Sequence, residues 1–295
     1  MRYAAIDIGS NAVRLLIADI IDNNGSVSFK KNTLIRVPLR LGDDAFLDQH
    51  LSERKTKDLV KTMQAFRNLM DVYKVADYMA FATSAMREAK NGAEVVNKIN
   101  TEANISVEII PGQKEAQIIY TSHIEQNIDK SKNYLYTDVG GGSTELSLLA
   151  GGELWASKSF NIGTIRILDN QDTEESWNDM KNFIRENTRQ FKIISGIGTG
   201  GNINKLYKLS EESDNAPLSF AKLKSLYSYL NSFSLKDRIN VLGLNQDRAD
   251  VIIPACEIYI TVMKAANIKN IYVPTVGLVD GIIQTLIEKN LSSES

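Results

Sequence analysis

YLYTDVGGGSTELSLL, residues 134–149, encodes an apolar strand that ends near Asp138, a turn with three consecutive glycines, and a second apolar strand that starts near Glu145. Glycines lack a Cβ, so their backbone N–H groups can turn toward an anion and the anion can approach closely. Carboxylates on either side can hold a cation that holds phosphate. The stretch therefore indicates a clamp for Mg²⁺ and phosphate. The competing interpretation is a glycine-rich β-hairpin with an exposed Asp and Glu.

Size and composition are those of an ordinary soluble globular protein. The 295 residues are 43% hydrophobic and 24% charged, which is enough chain for two domains. No stretch has the length of a membrane span, and MRYAAIDIG at the start runs directly into a strand. We therefore expect no membrane segment and no signal peptide.

Charge and rare residue types narrow the function classes further. The net charge is −2 with both signs mixed along the chain, which argues against a nucleic-acid surface. The single cysteine, Cys256, excludes a disulfide within the chain and fits a reducing cytoplasm. His50 and His123 are the two histidines, and each is isolated. Acid–base chemistry is therefore expected from carboxylates.

The order of elements repeats along the chain. A strand, an aspartate with a glycine turn, a second strand, another turn and a third strand follow residue 133, as they follow residue 2. Asp7 and Asp138 lie at the same point of the two series. We predict an α/β fold of two duplicated halves with the plan βββαβαβα. Such halves place their loops across a cleft, where both glycine turns would reach one ligand.

A short polar connection, residues 126–132, separates the halves. We therefore predict an N-terminal domain over residues 1–125 and a C-terminal domain over residues 126–295. Within the latter, residues 210–244 have no counterpart in the first half and are predicted to form a polar loop followed by helices.

Other patterns predict individual elements. Ser52 is a good N-cap for a helix that extends to about Tyr73. Residues 42–49 are predicted to form a loop. An apolar pattern over residues 248–266 predicts a helix that Pro254 kinks or delays.

Six segments of this chain, in order, resemble the exopolyphosphatase / guanosine pentaphosphate phosphohydrolase (Ppx/GppA) phosphatase family. They are Asp7-Ile-Gly-Ser-Asn11 with Arg14, Ala82-Thr-Ser-Ala-Met-Arg87, Gly112-Gln-Lys-Glu-Ala116, Asp138-Val-Gly-Gly-Gly-Ser-Thr-Glu145, Gly198-Thr-Gly-Gly201 and Arg248-Ala-Asp250. The resemblance covers nearly the whole chain and fits the short form of the family. It implies two actin-like (ribonuclease H-like) domains of the actin, Hsp70 and sugar kinase superfamily with a phosphate channel between them. It also implies a homodimer and hydrolysis of a terminal phosphoanhydride.

The resemblance assigns roles to individual residues. Glu115 matches the family's catalytic glutamate and is expected to act as general base on water; its alternative is an exposed glutamate in a first helical turn. Arg87 is expected to neutralise phosphate oxygens during catalysis; its alternative is a surface arginine. Asp138 and Glu145 are the expected Mg²⁺ ligands, with Asp7 as a third.

The expected phosphate-binding residues come from both halves. They are Gly9, Ser10, Asn11, Arg14, Gly140, Gly141, Gly142, Ser143 and Gly200. For Arg14, the alternative is an edge-strand residue that pairs with an acid.

Three positions depart from the family pattern. Val279-Asp280 stands where the family commonly has Arg-Glu, Ala12 stands where it often has Ser, and Asn202 stands where it often has Thr. The first change removes a cation near the expected phosphate path. All three leave the hydrolytic carboxylates in place and bear on substrate choice.

The leading hypothesis is therefore a Mg²⁺-dependent exopolyphosphatase that releases orthophosphate from inorganic polyphosphate. Hydrolysis of guanosine pentaphosphate is the close alternative, because it differs in the leaving group and not in the catalytic residues. A kinase that uses the glycine turn at residues 198–201 for a nucleotide, and a module that binds polyphosphate or an alarmone without turnover, are the further alternatives.

Overall fold

A computed structural model describes residues 1–23, 26–120, 129–213 and 215–294. The chain divides into two compact units, Met1–His123 with Gly277–Ser295 (unit 1) and Ile124–Val276 (unit 2). The boundary predicted between residues 125 and 126 lies outside the described residues, as does His123.

Unit 1 is built on a five-stranded mixed sheet with the order β3-β2-β1-β4-β5. β1 pairs antiparallel with β2, and β2 pairs antiparallel with β3. β1 pairs parallel with β4, and β4 pairs parallel with β5. The strands are β1 (Arg2–Ile8), β2 (Val13–Asn23), β3 (Ser26–Val37), β4 (Asp77–Ala82) and β5 (Glu108–Ile109).

The described helices of the first 120 residues belong to the same unit. They are α1 (Leu41–Leu47), α2 (Glu53–Val72), α3 (Ser84–Glu88), α4 (Gly92–Ala103) and α5 (Gly112–Tyr120). Ser52 caps α2 by accepting a hydrogen bond from the N–H of Lys55, as predicted. The loop predicted over residues 42–49 is wrong, because Leu41, Ala45 and Phe46 bury one face of α1.

Unit 2 repeats this architecture around a six-stranded sheet with the order β10-β11-β9-β6-β7-β8. β6, β7 and β8 form an antiparallel meander, and β9 pairs parallel with both β6 and β11. The strands are β6 (Tyr134–Val139), β7 (Thr144–Ala150), β8 (Glu153–Phe160), β9 (Ser195–Thr199), β10 (Leu218–Ser219) and β11 (Asn270–Tyr272). Read from β8 to β11, strand order and directions match those of unit 1, which confirms the predicted α/β fold of duplicated halves.

Helices cover the sheet of unit 2 as well. They are α6 (Thr164–Leu168), α7 (Glu174–Thr188), α8 (Gly201–Ser210), α9 (Phe220–Asn231), α10 (Leu235–Asn240), α11 (Gln246–Ala249) and α12 (Ile252–Ala265). Pro254 lies in the first turn of α12, where its missing N–H costs no helical hydrogen bond, so the predicted helix starts late. Cys256 is buried in α12, and that burial raises the pKa of its thiol to about 12.

The C-terminal helix, α13 (Leu278–Glu294), belongs to unit 1. It packs on β1, β2, β4 and α5, and Ile282 and Leu286 share a buried cluster with Tyr3 and Leu16. This differs from the prediction that assigned every residue of 126–295 to the second domain. The hydrophobic pattern shows where a helix forms, but it does not show which sheet buries its apolar face.

Candidate active site

The same four-residue turn follows the first strand of each sheet. In unit 1 the N–H of Gly9 donates to the carbonyl of Ala12 at 3.2 Å, and in unit 2 the N–H of Gly140 donates to the carbonyl of Ser143 at 2.9 Å. A Cβ on either glycine would lie 3.1–3.2 Å from the accepting carbonyl oxygen. The two glycine turns predicted from the sequence are therefore equivalent in structure.

Asp138 and Glu145 face each other across β6 and β7 as direct register partners. The Oδ2 of Asp138 accepts a hydrogen bond from the Thr199 hydroxyl at 3.0 Å, and the Oε1 of Glu145 accepts one from the Ser159 hydroxyl at 2.8 Å. Glu145 is only 4% exposed. Two like charges directly opposite each other destabilise a sheet unless a cation lies between them. The donor set is one that Mg²⁺ prefers, so the predicted metal residues of unit 2 fit the ion.

Position 200 requires a glycine, both for its backbone conformation and because Asp138 lies close to it. Gly200 has φ +90° and ψ 174°, a conformation that is essentially restricted to glycine. A Cβ there would lie 2.7 Å from the Oδ1 of Asp138. The predicted phosphate-binding Gly200 is thus brought against the predicted metal ligand at the start of α8.

Backbone amide groups line the turn of residues 141–143. The carbonyl of Gly141 accepts a hydrogen bond from the N–H of Ile165, and the carbonyl of Gly142 accepts one from the Nε of Arg166 at 2.7 Å. The N–H groups of Gly141, Gly142 and Ser143 make no hydrogen bond to any residue within the described ranges. A turn whose carbonyls are held and whose amides are available suits an anion.

Several residues that hold this turn were not predicted to do so. Arg166 is 6% exposed, although the sequence pattern did not separate it from solvated surface cations. A Cβ on Gly163 would lie 2.3 Å from the carbonyl oxygen of Gly141, which lets α6 pack against the turn. The Gly141–Gly142 pair in sequence signals a close approach, but not which element makes it.

Arg248 and Asn202 hold the second glycine turn of unit 2. The Nη1 of Arg248 donates to the Oδ1 of Asn202 at 2.8 Å, and a Cβ on Gly201 would lie 2.3 Å from the Nη2 of Arg248. The Nδ2 of Asn202 in turn donates to the carbonyl of Val139 at 3.2 Å. Asn202, one of the departures from the family pattern, therefore ties α8 to the strand that carries Asp138.

Tyr259 lies behind the two carboxylates. Its hydroxyl donates to the carbonyls of Thr199 at 3.0 Å and Thr137 at 3.3 Å. Burial, and after it the charge of Asp138, raises the pKa of Tyr259 well above its usual value. The side chain is therefore a neutral donor that fixes the ends of β6 and β9.

In unit 1 the position of Asp138 is occupied by Asp7, which is 3% exposed. Its register partner is Arg14, whose Nη1 donates to the Oδ2 of Asp7 at 2.6 Å. Burial raises the pKa of Asp7, and the Arg14 charge opposes that rise. Arg14 was predicted either to bind phosphate or to pair with an acid, and in unit 1 it pairs with Asp7. Asp7 as a metal ligand stays a prediction.

Neighbouring elements hold the first turn. The hydroxyls of Ser10 and Ser84 lie 2.8 Å apart, and the carbonyl of Ser10 accepts a hydrogen bond from the N–H of Gly42 at 2.9 Å. The carbonyl of Asn11 accepts one from the N–H of Arg40 at 3.0 Å. The starts of α1 and α3 thus fix the residues that are predicted to bind phosphate.

Glu115 and Arg87, the predicted catalytic residues, lie together in unit 1. The Oε2 of Glu115 is 3.8 Å from the Nη1 of Arg87, which also donates to the carbonyl of Ile110 at 2.6 Å. Glu115 is 9% exposed although it lies in the first turn of α5. An exposed glutamate in a first helical turn is therefore not what the structure contains. A carboxylate with restricted water access beside an arginine is suited to proton transfer.

Within the described residues, neither unit contains a group of three or more His, Cys, Asp or Glu side chains placed to hold a metal ion. The pair of Asp138 and Glu145 is compatible with Mg²⁺ all the same, because this ion usually takes one or two protein carboxylates and completes its shell with water and phosphate.

Over the described ranges, no helix is long and apolar enough to cross a membrane.

Proteins of two bacteria are similar in sequence to this chain. The chain is 31% identical over 273 residues to the bifunctional 3-dehydroquinate synthase/phosphatase of Fusobacterium nucleatum subsp. nucleatum, covering 85% of this chain and 41% of that protein. It thus spans less than half the length of that relative. It is 25% identical over 301 residues to a Haemophilus influenzae protein named "Putative exopolyphosphatase", covering 97% and 91% of the two chains.

A solved structure and a family profile also match nearly the whole chain. The crystal structure of an exopolyphosphatase from Cytophaga hutchinsonii superposes with a TM-score of 0.84 at 25% identity and covers 98% of both chains. The profile of the Ppx/GppA phosphatase family matches residues 20–290, nearly the whole chain. The predicted family and the predicted enzyme class, a hydrolase, are confirmed. This chain belongs to the Ppx/GppA phosphatase family.

Proposed function

We propose that this protein is an exopolyphosphatase, which hydrolyses the terminal phosphoanhydride of inorganic polyphosphate and releases orthophosphate with Mg²⁺ as cofactor. The observation that carries the proposal is the facing pair of Asp138 and Glu145 beside the amide-lined turn of residues 141–143. Family membership and the names of two relatives support the same substrate class. Guanosine pentaphosphate is the alternative substrate.

Glu115 is the general base in this proposal. Its carboxylate takes a proton from the attacking water, an effect worth roughly 10²–10⁴ in rate. Arg87, whose Nη1 lies 3.8 Å from the Oε2 of Glu115, offers its guanidinium to a non-bridging phosphate oxygen. The pairing with Arg87 distinguishes Glu115 from the many other glutamates in the sequence.

Asp138 and Glu145 are the residues that would hold Mg²⁺. When bound, the ion supplies charge neutralisation for phosphate oxygens. The amides of Gly141, Gly142 and Ser143 orient the phosphate, and Gly200 keeps the Oδ1 face of Asp138 open. Gly9, Ser10, Asn11 and Arg14 remain the phosphate-binding residues predicted for unit 1.

A phosphate-release assay tests the proposal. Long-chain polyphosphate, tripolyphosphate and guanosine pentaphosphate are each supplied with Mg²⁺ and with chelator. We expect fastest orthophosphate release from polyphosphate and none with chelator. Faster release from guanosine pentaphosphate would favour the alternative substrate, and binding of polyphosphate with no release would favour a non-hydrolytic module. ATP-dependent phosphorylation of a small alcohol would favour a kinase.

The homodimer and the cytoplasmic location expected from the sequence form part of the same proposal. Light scattering on the purified full chain tests the first, with twice the chain mass of 32.8 kDa expected. Fractionation of cells that express the untagged chain tests the second.

A further inference from the structure

Unit 2 contains a cavity of about 500 Å³ that the proposed reaction does not use. It lies where the start of α9 and the end of α12 meet the edge strands β10 and β11, and its lining includes Phe220, Met263, Lys264, Ile268 and Lys269. Its volume falls within the range of about 300–1,000 Å³ that is usual for small-molecule sites.

The cavity is separate from the carboxylate pair in the same unit. Asn270, which lines it, precedes Ile271, and Ile271 pairs with Gly196, which pairs with Leu135 in β6. Asp138 lies a further three residues along β6, about 10 Å at the usual rise per residue of a strand. The cavity is therefore at the amino ends of the parallel strands, whereas the candidate active site is at their carboxyl ends.

Charge in the cavity is of one sign. Lys264 and Lys269 contribute ammonium groups, and none of the lining residues is acidic. Neither lysine forms an ion pair with a residue in the described ranges, and both are exposed. Two cations without carboxylates favour an anion, and the side-chain amides of Asn267 and Asn270 add donors and acceptors on the same wall.

Apart from Ser219, the other lining residues of the cavity are apolar. Phe220, Ala221, Met263 and Ile268 line it, and Met263 and Ile268 are almost fully buried. Phe220 packs in part against the hydrophobic core of unit 2 and its backbone N–H donates to the carbonyl of Lys269 at 2.9 Å, while the Nζ of Lys224 lies 5.9 Å from the centroid of its ring. A purely inorganic anion would leave this apolar wall uncovered. A ligand with a flat ring and an anionic group would use both halves of the cavity.

We infer that this cavity binds a nucleoside phosphate, with the base against Phe220 and the phosphate between Lys264 and Lys269. The asparagines at positions 267 and 270 are placed to hydrogen-bond the edge of the base or the ribose. The site is distinct from the phosphohydrolase site, so its ligand is not the substrate.

Isothermal titration of the full chain with GMP and with AMP tests the inference. Monophosphates have no phosphoanhydride to hydrolyse, and chelator is added so that Mg²⁺ does not hold them at the carboxylate pair. We expect saturable binding that weakens at least about tenfold in the Lys264→Gln/Lys269→Gln double variant, because each lost contact is charge-assisted. The matched control is Lys236→Gln, an exposed lysine on α10 away from the cavity, which should bind like wild type.

A second variant separates the ring from the charge. Phe220→Leu keeps an apolar side chain and should weaken GMP and AMP binding without changing the weak binding of orthophosphate. Phosphate release by the double lysine variant, without nucleotide, should equal that of wild type, which shows that the fold is intact. No heat with either monophosphate at millimolar concentration, or equal binding by wild type and the double variant, would overturn the inference.

Discussion

Asp138 lies directly opposite Glu145 in the β6–β7 ladder, at the register position where the duplicated β1–β2 ladder pairs an aspartate with an arginine. The same turn geometry therefore occurs with two different pairs of charged residues. In unit 1 the Arg14 guanidinium compensates the buried Asp7. In unit 2 two carboxylates face each other, and such a pair is a donor set that suits a bound Mg²⁺ ion. The duplication explains the fold, and the difference explains why metal binding is assigned to unit 2.

Charge removal at the carboxylate pair should therefore remove the response to Mg²⁺. A ligand that binds only the folded state raises the melting temperature, by an amount that grows with its concentration relative to its Kd. We predict that Mg²⁺ raises the melting temperature of wild type, and that Asp138→Asn or Glu145→Gln abolishes the rise. Differential scanning fluorimetry with and without Mg²⁺ measures it.

Glu153→Gln provides the control, because Glu153 is exposed at the start of β8 in the same sheet. It should keep the wild-type response to Mg²⁺. An unchanged rise in the Glu145→Gln protein would remove that residue from the metal site.

Gly200→Ala should damage the site more than the fold. The backbone conformation of Gly200 costs a non-glycine residue about 1–3 kcal/mol. The new methyl group would also press on the Oδ1 of Asp138. We predict lower stability and loss of phosphate release, measured by urea denaturation and by the release assay.

Gly243→Ala separates these two effects. Gly243 also has a positive φ, +63°, but a Cβ there meets nothing within 4 Å. It should cost about 1–2 kcal/mol of stability from the backbone alone and leave activity unchanged. Equal losses of activity in both variants would contradict the role given to Gly200.

The ion pair between Lys31 and Asp280 should tie α13 to β3 within unit 1. The Nζ of Lys31 lies 2.7 Å from the Oδ1 of Asp280, which is 2% exposed, and the Oδ2 of Asp280 accepts a hydrogen bond from the N–H of Gly277. Lys31→Met leaves this carboxylate without its cation, so we predict a loss of about 1–3 kcal/mol on denaturation. Lys30→Met, on the opposite face of the same strand and exposed, should cost little.

The pH dependence of stability follows from the same carboxyl group. Burial raises the pKa of Asp280 above its usual 3.8, and Lys31 opposes that rise. The unfolded chain therefore releases this proton more readily than the folded chain does. The contribution of Asp280 to the free energy of unfolding falls as the pH rises from about 4 through the raised pKa. Asp280→Asn should remove that decline. Denaturation curves of both proteins between pH 4 and pH 8 would show parallel profiles if the assignment is incorrect.

Local patterns were enough to predict much of this structure. The Asp-x-Gly turns at Asp7 and Asp138, each between apolar runs, predicted the duplicated sheets, and Ser52 marked a helix start that the structure contains. What could not be predicted depends on contacts distant in sequence. The sequence of α13 fits a helix of either half, and only packing on Leu16 and Ile118 assigns it to unit 1.

The same limit applies to the site. Glycine runs and carboxylates predicted where phosphate and metal would be held, and motif resemblance singled out Glu115. The environment of Glu115 was not predictable, because its burial depends on the packing of α5 in unit 1. Arg166 was missed because its partner is a backbone carbonyl 24 residues earlier, which leaves no sequence signal.

The Glu115→Gln variant gives the most direct test of the central claim, that this carboxylate activates water for phosphoanhydride hydrolysis. Steady-state phosphate release from polyphosphate with Mg²⁺ is measured for wild type, for Glu115→Gln and for Glu94→Gln, an exposed glutamate in the first turn of α4. We predict a fall in kcat of roughly 10²–10⁴-fold for Glu115→Gln with little change in polyphosphate binding, and wild-type rates for Glu94→Gln. Full phosphate release by a folded Glu115→Gln protein would contradict it.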